Sequence, residues 1–416
     1  MSKNTIVYIG DFDLRNENVQ AHLVKNNGKL LNELGYNVNY IGVNRECKSF
    51  EQIKRLCKYQ VKNGAYLELP VTLSARGLIY EMQVESRIIS YLNRLASKKN
   101  IKYIITYQSP TYAMVLRKIA LWCARKRIPY IVNCADLPIF DSQPFIKRTV
   151  MKMNWHYMHY INKKYADGVV SVSHYIENYY KKNDRPSVII PPLFDEPCSS
   201  LTKHTANNDA TFLYAGTPFI LSEHKIKTEG MKDRLDKVID LMILLEKKNV
   251  EFCFNIVGIQ LSEYCNCVPR HKKALESSER IVFHGRKTHE GTLEMLAASD
   301  YMINYRDKNL MTEAGLSTKV VESVSLGTPV VMNEIGDHFE YLEEGISGFK
   351  LTGDVEHDFR LLYGLCRLSK ESRETNKKRT ISQSAFSINK YTDSMSAFLG
   401  DVSAYRLTKE EGVFNE

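Results

Sequence analysis

Residues 305–337, YRDKNLMTEAGLSTKVVESVSLGTPVVMNEIGD, hold the side chains whose types and spacing best suit chemistry in this chain. Among them are the cation Arg306 and the carboxylates Glu313 and Glu322, with Leu316, Ser317, Thr318 and Lys319 between those two acids. The pattern predicts a loop carrying Arg306 and Glu313, then a helix that begins near Ser317 or Thr318 and runs through Glu322. Backbone N–H groups in a first helical turn lack partners inside the helix and lie at the positive end of its dipole. They therefore suit an anion such as a phosphate. Glu322 lies four residues after Thr318, on the same helix face, and a carboxylate there accepts two hydroxyl hydrogen bonds well.

Such a helix needs a sheet to hold it. Gly327 and Pro329 stop it, because glycine tolerates the left-handed turn after a last helical residue and proline cannot continue the ladder. Residues 330–332 then read as a short apolar strand, and Gly336 opens the next turn. A loop, helix, strand unit of this kind sits at the carboxyl ends of a parallel sheet, where α/β folds hold phosphorylated ligands. Strands for that sheet recur along the chain. Apolar runs at 5–9, 37–41, 103–106, 129–133, 166–173 and 187–190 alternate with helical patterns in the first half. Runs at 211–215, 251–257, 281–284 and 301–304 do the same in the second. Residues 50–99 are expected to be mostly helical. The fold class is α/β, with two successive doubly wound halves joined by a polar linker at 196–210. After Gly10 the next glycine is Gly28, so the glycine-rich dinucleotide fingerprint is missing and a nicotinamide dehydrogenase is disfavoured.

At 416 residues the chain suits two domains, and its 44% hydrophobic and 25% charged content is that of a globular protein. No apolar run reaches the roughly 18 residues of a membrane span, and the opening MSKNTIVYIGDFD has no signal-peptide architecture, so a cytoplasmic protein is expected. Nine scattered cysteines read as reduced thiols. Cys265, Cys267 and His271 form one close group, but no second ligand pair accompanies them at zinc spacing. The net charge of +9 concentrates in basic clusters of the first half. An anionic membrane surface, a phosphorylated substrate or nucleic acid would suit it, and the last is disfavoured because no zinc finger, RNP motif or basic zipper is present. Residues 144–165 mix aromatic, methionine and basic side chains. They read either as an amphipathic helix against lipid or as a core-packed helix with a basic outer face.

The second half resembles the donor-binding domain of GT-B glycosyltransferases of the family 4 type, which transfer sugars from nucleoside diphosphate donors with retention of configuration. The motifs are YAGTP, KDRLDKVI, FNIVG, FHGR, ASDYMINYR, GLSTKVVESVSLGTPVV and EEGISGF, with the opening β-α-β and ADGVVSVS matching in the first half. The resemblance implies a GT-B fold of two Rossmann-like domains facing a central cleft. Residues 1–195 would be the acceptor side and 211–381 the nucleotide-sugar side, with a helix at 382–400 crossing back to the first domain and a tail at 401–416. It implies a hexose-type sugar moving from a UDP- or GDP-linked donor to a growing glycan or lipid-linked acceptor in surface polysaccharide synthesis. Peripheral contact with the inner face of the membrane would come through the basic first domain. No metal or other cofactor is implied.

Carried onto single residues, the resemblance gives Glu322 the donor ribose, and gives the β-phosphate to Lys232 and the amides of Leu316, Ser317, Thr318 and Lys319. Gly10, Gly216, Thr217, Gly258 and Arg286 complete the donor-binding candidates, and Glu313, Asp136 and Arg306 are the catalytic ones. Two departures stand out. The family separates its two glutamates by seven residues, whereas eight lie between Glu313 and Glu322, and Pro218 stands where an arginine is frequent. Lys225, Lys227 or Arg286 would have to replace that cation. The departures leave open a non-catalytic GT-B partner or scaffold protein and, on the same architecture, a nucleotide-sugar epimerase.

Overall fold

Two sheets, each with its own core, organise the computed structural model, which describes residues 4–16, 18–44, 57–61, 64–70, 75–109, 113–137, 145–182, 184–195, 208–218 and 233–413. Most of the linker expected at 196–210, together with Lys225, Lys227 and Lys232, lies outside the described residues. The chain divides into one unit of Met1–Leu193 with Ile388–Glu416 and a second of Phe194–Ser387.

In the first unit the strands are β1 (Thr5–Gly10), β2 (Asn37–Asn44), β3 (Cys57–Val61), β4 (Gly64–Pro70), β5 (Ile101–Tyr107), β6 (Tyr130–Cys134), β7 (Gly168–Ser171) and β8 (Ser187–Ile189). They form one sheet in the order β3-β4-β2-β1-β5-β6-β7-β8. All neighbours are parallel except β3 and β4, an antiparallel pair at the edge. The region 50–99, expected to be mostly helical, contributes two strands before the helix Ala75–Ala96. The reversal of strand order falls between β1 and β5. There Gly10 pairs with Tyr107, and a side chain at Gly10 would overlap the Tyr107 carbonyl, so the glycine is fixed by strand packing.

The segment expected as a crossover helix to residue 400 and a tail beyond it is one helix, Thr392–Val413, and it completes this unit. Gly168 leaves room for Val402 and Phe398, and the Tyr103 hydroxyl donates to the Leu399 carbonyl at 2.9 Å. Arg406 and Lys409 reach the buried Asp167, at 3.4 and 2.9 Å. That ion pairing carries the helix past the expected stop.

The second unit holds β9 (Ala210–Ala215), β10 (Phe252–Val257), β11 (Ile281–Gly285), β12 (Tyr301–Asn304), β13 (Val330–Asn333) and β14 (Gly348–Leu351), all parallel, in the order β11-β10-β9-β12-β13-β14. This is the doubly wound order whose reversal point, here between β9 and β12, opens a crevice at the carboxyl ends. β9, β12 and β13 are buried at every position, as strands covered on both faces must be. The helix Thr318–Ser325 buries Val320, Val321 and Val324, each worth about 1.5–3 kcal/mol of transfer free energy. It ends in a reciprocal pair of bonds, Thr328 N–H to Ser323 O at 2.8 Å and Gly327 N–H to Val324 O at 3.1 Å, with Gly327 left-handed at φ +81°.

At the amino end of the strands, just before β12, a buried ion pair ties Asp300 to Arg373 at 3.3 Å, both side chains being almost fully buried. Asp300 also accepts from the Thr211 N–H and hydroxyl, at 2.8 and 2.9 Å. Truncating Asp300 strands a guanidinium in the interior. Asp300→Ala is expected to cost about 3–5 kcal/mol in the unfolding transition of the second unit, measured by urea denaturation.

Candidate functional site

The crevice at the reversal point is built around one carboxylate. Asp233, 1% exposed, lies just before the helix Leu235–Lys247, and its two oxygens are divided between residues from distant parts of the unit. Oδ1 accepts from Arg306 Nε at 2.9 Å, while Oδ2 accepts from Lys319 Nζ at 2.5 Å and from the Tyr214 hydroxyl at 3.0 Å. Burial alone would raise the Asp233 pKa. Lys319 and Arg306, with the hydrogen bonds of Lys319 and Tyr214, outweigh it and hold the carboxyl well below its usual range. Two cations share one anion, so the cluster carries a net positive charge at the crevice.

Glycines shape the floor above it. Gly216 follows β9 at φ +146°, and a Cβ there would meet Lys319 Nζ; Gly258 follows β10 at φ +111°, and a Cβ there would meet the Gly216 carbonyl. The Thr217 hydroxyl donates to the Gly258 carbonyl at 3.2 Å. Lys319 thus lies across a bare backbone, one residue inside a helix N-terminus. Ser317 caps that helix without a side-chain bond, and Leu316 beside it is buried. Aligned amides, a half-buried cation and a side-chain-free floor are what a diphosphate requires.

Of the other expected residues, Arg306 is only 4% exposed, and its backbone is clasped by Asn333, which accepts the Arg306 N–H at 2.9 Å and donates to its carbonyl at 2.8 Å. It sits beneath the crevice as the partner of Asp233. Glu313 lies in a short helix, Leu310–Ala314, where a loop was expected, because Asn309 caps the Met311 and Thr312 N–H groups. Glu322 is half-buried on the helix Thr318–Ser325, with its carboxylate 4.0 Å from His289 Nε2. Arg286 stands exposed beyond Gly285 and pairs with Glu263 at 3.1 Å. The thiol and histidine group separates: the two ring nitrogens of His271 meet the Tyr264 hydroxyl and the Asp240 carboxylate, at 2.8 and 2.6 Å.

In the first unit, Gly10 and Asp136 stand at the carboxyl ends of β1 and β6. Asp136 accepts from Gln108 Nε2 at 3.0 Å and lines a pocket of about 30 Å³ with Asn133, His159 and Tyr180. Asn133 is occupied by structure, accepting the Tyr8 hydroxyl at 2.6 Å and donating to the Val170 carbonyl at 3.2 Å.

The sequence reading missed Asp233 and His338. Asp233 was visible only as the residue after Lys232 in KDRLD. His338 is fully buried and positions the helix entrance: the Ser317 N–H donates to its Nε2 at 3.0 Å, so the proton sits on Nδ1 and donates to the Ile335 carbonyl at 2.6 Å. Burial, with Arg306 nearby, lowers its pKa to about 4. The unfolded chain binds this proton near pH 6.5, so its contribution to stability is present above that pH and is lost as pH falls toward 4. The contribution is roughly 3 kcal/mol. His338→Gln should flatten the pH dependence of the second unit's urea midpoint between pH 7 and 4.5; an unchanged slope refutes the assignment.

Residues 219–360 match the family described as glycosyl transferases group 1. No curated protein matches the chain by sequence. Among solved structures, HepE of Anabaena in complex with UDP superposes with a TM-score of 0.61 at 15% identity, covering 95% of this chain and 99% of that one. The catalytic domain of starch synthase IV from Arabidopsis thaliana, bound to ADP and acarbose, gives 0.63 at 11% identity over 97% and 100%. The lipopolysaccharide outer core galactosyltransferase WaaB gives 0.58 at 11% over 95% and 99%. The likeness runs through both units at low identity, so what it establishes is architecture: the fold is the GT-B fold of glycosyltransferase structures, and the group 1 match falls on the unit that contains Asp233 and Lys319.

Proposed function

We propose that the protein is a retaining glycosyltransferase that moves a hexose-type sugar from a UDP- or GDP-linked donor to a growing glycan or lipid-linked acceptor, in surface polysaccharide synthesis in the cytoplasm. The observation that carries this reading is the Lys319, Asp233 and Arg306 cluster beneath the N-terminus of the helix Thr318–Ser325, floored by Gly216 and Gly258. Its net charge and amides favour a leaving group that gains negative charge as the glycosidic bond breaks. The family match on residues 219–360 and the UDP held by HepE support a nucleotide donor.

In this reading the diphosphate lies against the Lys319 ammonium and the amides of Thr318 and Lys319, the Ser317 amide being held by His338, with Lys232 as a further cation. The ribose hydroxyls bond to Glu322, and Gly10, Gly216, Thr217, Gly258 and Arg286 complete the donor-binding residues. Arg306 acts as a positioning residue that holds Asp233, and through it Lys319. Glu313 and Asp136 are the candidates for the reacting centre. The acceptor attacks on the face the nucleotide leaves, which retains the anomeric configuration.

Lys319→Ala removes a charge-assisted contact worth about 1.5–3 kcal/mol and should weaken UDP or GDP binding roughly ten- to a hundredfold in calorimetric titration. Glu322→Ala should weaken nucleotide binding at least tenfold and leave inorganic pyrophosphate binding unchanged. If both variants bind nucleotide as the parent does, the donor site is elsewhere. A second reading, a non-catalytic GT-B protein, is favoured by Pro218 at the position of the missing arginine. Transfer or hydrolysis of a donor sugar by the purified protein excludes it, and release of an epimerised donor without an acceptor would point to an epimerase.

A further inference from the structure

Four helices among the described residues end in the same reciprocal pair of backbone bonds, which needs a left-handed residue just past the last turn. At three of them that residue is Gly35, Asn249 or Gly327, types that take positive φ readily. After the helix Ala113–Lys126 it is Arg127, at φ +57°. Its N–H donates to the Ala124 carbonyl at 3.3 Å, and the Ile128 N–H donates to the Cys123 carbonyl at 3.0 Å. A left-handed arginine is strained where a glycine would not be, so the turn alone does not account for it.

Arg127 lines a cavity of about 460 Å³ at the amino ends of β6 and β7, where Tyr130 begins β6 and Asp167 precedes β7. Apolar surface from Ala120, Ala124, Tyr130 and Tyr165 walls it. Three more cations reach it: Lys164 from the end of the helix Phe145–Tyr165, and Arg406 and Lys409 from the helix Thr392–Val413. One carboxylate opposes them. Asp167 is fully buried and takes the Tyr130 N–H at 3.0 Å, Lys409 at 2.9 Å and Arg406 at 3.4 Å. The two helix C-termini at the rim add about half a negative charge each, which leaves positive charge in excess. Nearby Lys182 feels that excess: burial, then the charges of Lys409 and Arg185, lower its pKa against the pull of Asp167. Gly10 and Asp136 stand at the opposite, carboxyl ends of the same sheet, so this cavity is separate from any ligand crevice there.

We propose that this cavity binds a soluble phosphomonoester with an aromatic or apolar body, and that the bound ligand clamps the helix Thr392–Val413 onto the rest of the first unit. The apolar surface lies inside the cavity, so the body of the ligand has to enter it, and the volume is that of a small-molecule site. Arg127 and Lys164 come from the ends of two helices and Arg406 and Lys409 from a third, so one dianion among them joins all three. This goes beyond the donor reading and does not rest on it.

The test is calorimetric titration of the full chain with phenyl phosphate. Inorganic phosphate and phenol each carry half of the recognition and should bind at least tenfold more weakly. R127G/K164Q should weaken phenyl phosphate at least tenfold. Because glycine suits the turn, the melting temperature of this variant without ligand should not fall. K29Q/K58Q removes the same charge outside the cavity and should leave the affinity unchanged. With the probe bound, amide hydrogen exchange in the helix Thr392–Val413 should slow. Equal affinity for phenyl phosphate and inorganic phosphate would overturn the apolar body, and equal losses in the two charge variants would overturn the cavity in favour of a general field. A melting temperature of R127G/K164Q well below the parent's would assign Arg127 to the fold and overturn its role in binding. Unchanged exchange would overturn the clamp. Binding to phosphatidylglycerol vesicles without affinity for phenyl phosphate would overturn the soluble ligand. Displacement of the probe by excess UDP would place it in the donor crevice instead. UDP titration of R127G/K164Q should match the parent, which separates a failure here from a failure of the donor site.

Discussion

A carboxylate buried alone in a protein interior takes up a proton sooner than carry its charge. Asp233 stays charged because two cations reach it, one from the end of β12 and one from the helix after it, over sequence separations of 73 and 86 residues. The crevice geometry depends on that arrangement. Arg306 is drawn under the sheet edge, where its backbone can be clasped by Asn333, and Lys319 is pulled flat over Gly216. Each glycine then makes room for the next element: Gly216 for the lysine, Gly258 for the Gly216 carbonyl, Gly285 for the Gln260 side chain. Remove the carboxylate and two like charges would face each other in a low-dielectric space. With it in place, one positive charge remains at the surface beside a helix entrance, held without the freedom a solvated lysine would have.

The features that were legible in the sequence are those set by local pattern. β12 and β9 could be read almost to the residue because parallel strands covered on both faces are short continuous apolar runs. The stop of the helix at Gly327 was equally plain, since its turn needs a residue at φ +81°. The pair β3 and β4 was not readable. CKYQV and GAYLELP carry lysine, glutamine and glutamate, and Glu68 becomes a core residue only because Asn44 donates to it at 2.9 Å and Arg15 pairs with it at 2.6 Å. The same reason hid the centre of the candidate site. Glycines at strand ends announce themselves by type, whereas the value of Asp233 and the burial of Arg306 come from partners that only the fold assembles.

His338 shows how one buried side chain can translate fold into site geometry. It spends both nitrogens on backbone, taking the Ser317 N–H and giving to the Ile335 carbonyl, and so fixes the angle at which the chain enters the helix. The amide that His338 holds is one fewer for a ligand, which leaves Thr318 and Lys319 as the amides facing outward.

The helix Thr392–Val413 belongs to the first unit although the whole of the second unit precedes it in the chain. Emerging from a ribosome, the first sheet must wait through almost two hundred residues before Val402 and Phe398 cover Gly168 and before Arg406 and Lys409 neutralise Asp167. Until then an uncompensated carboxylate and a bare apolar face are held in suspense. Completion of the first unit is therefore a late, long-range event of high contact order, and a chain halted before its final helix would offer cellular quality control an unfinished sheet.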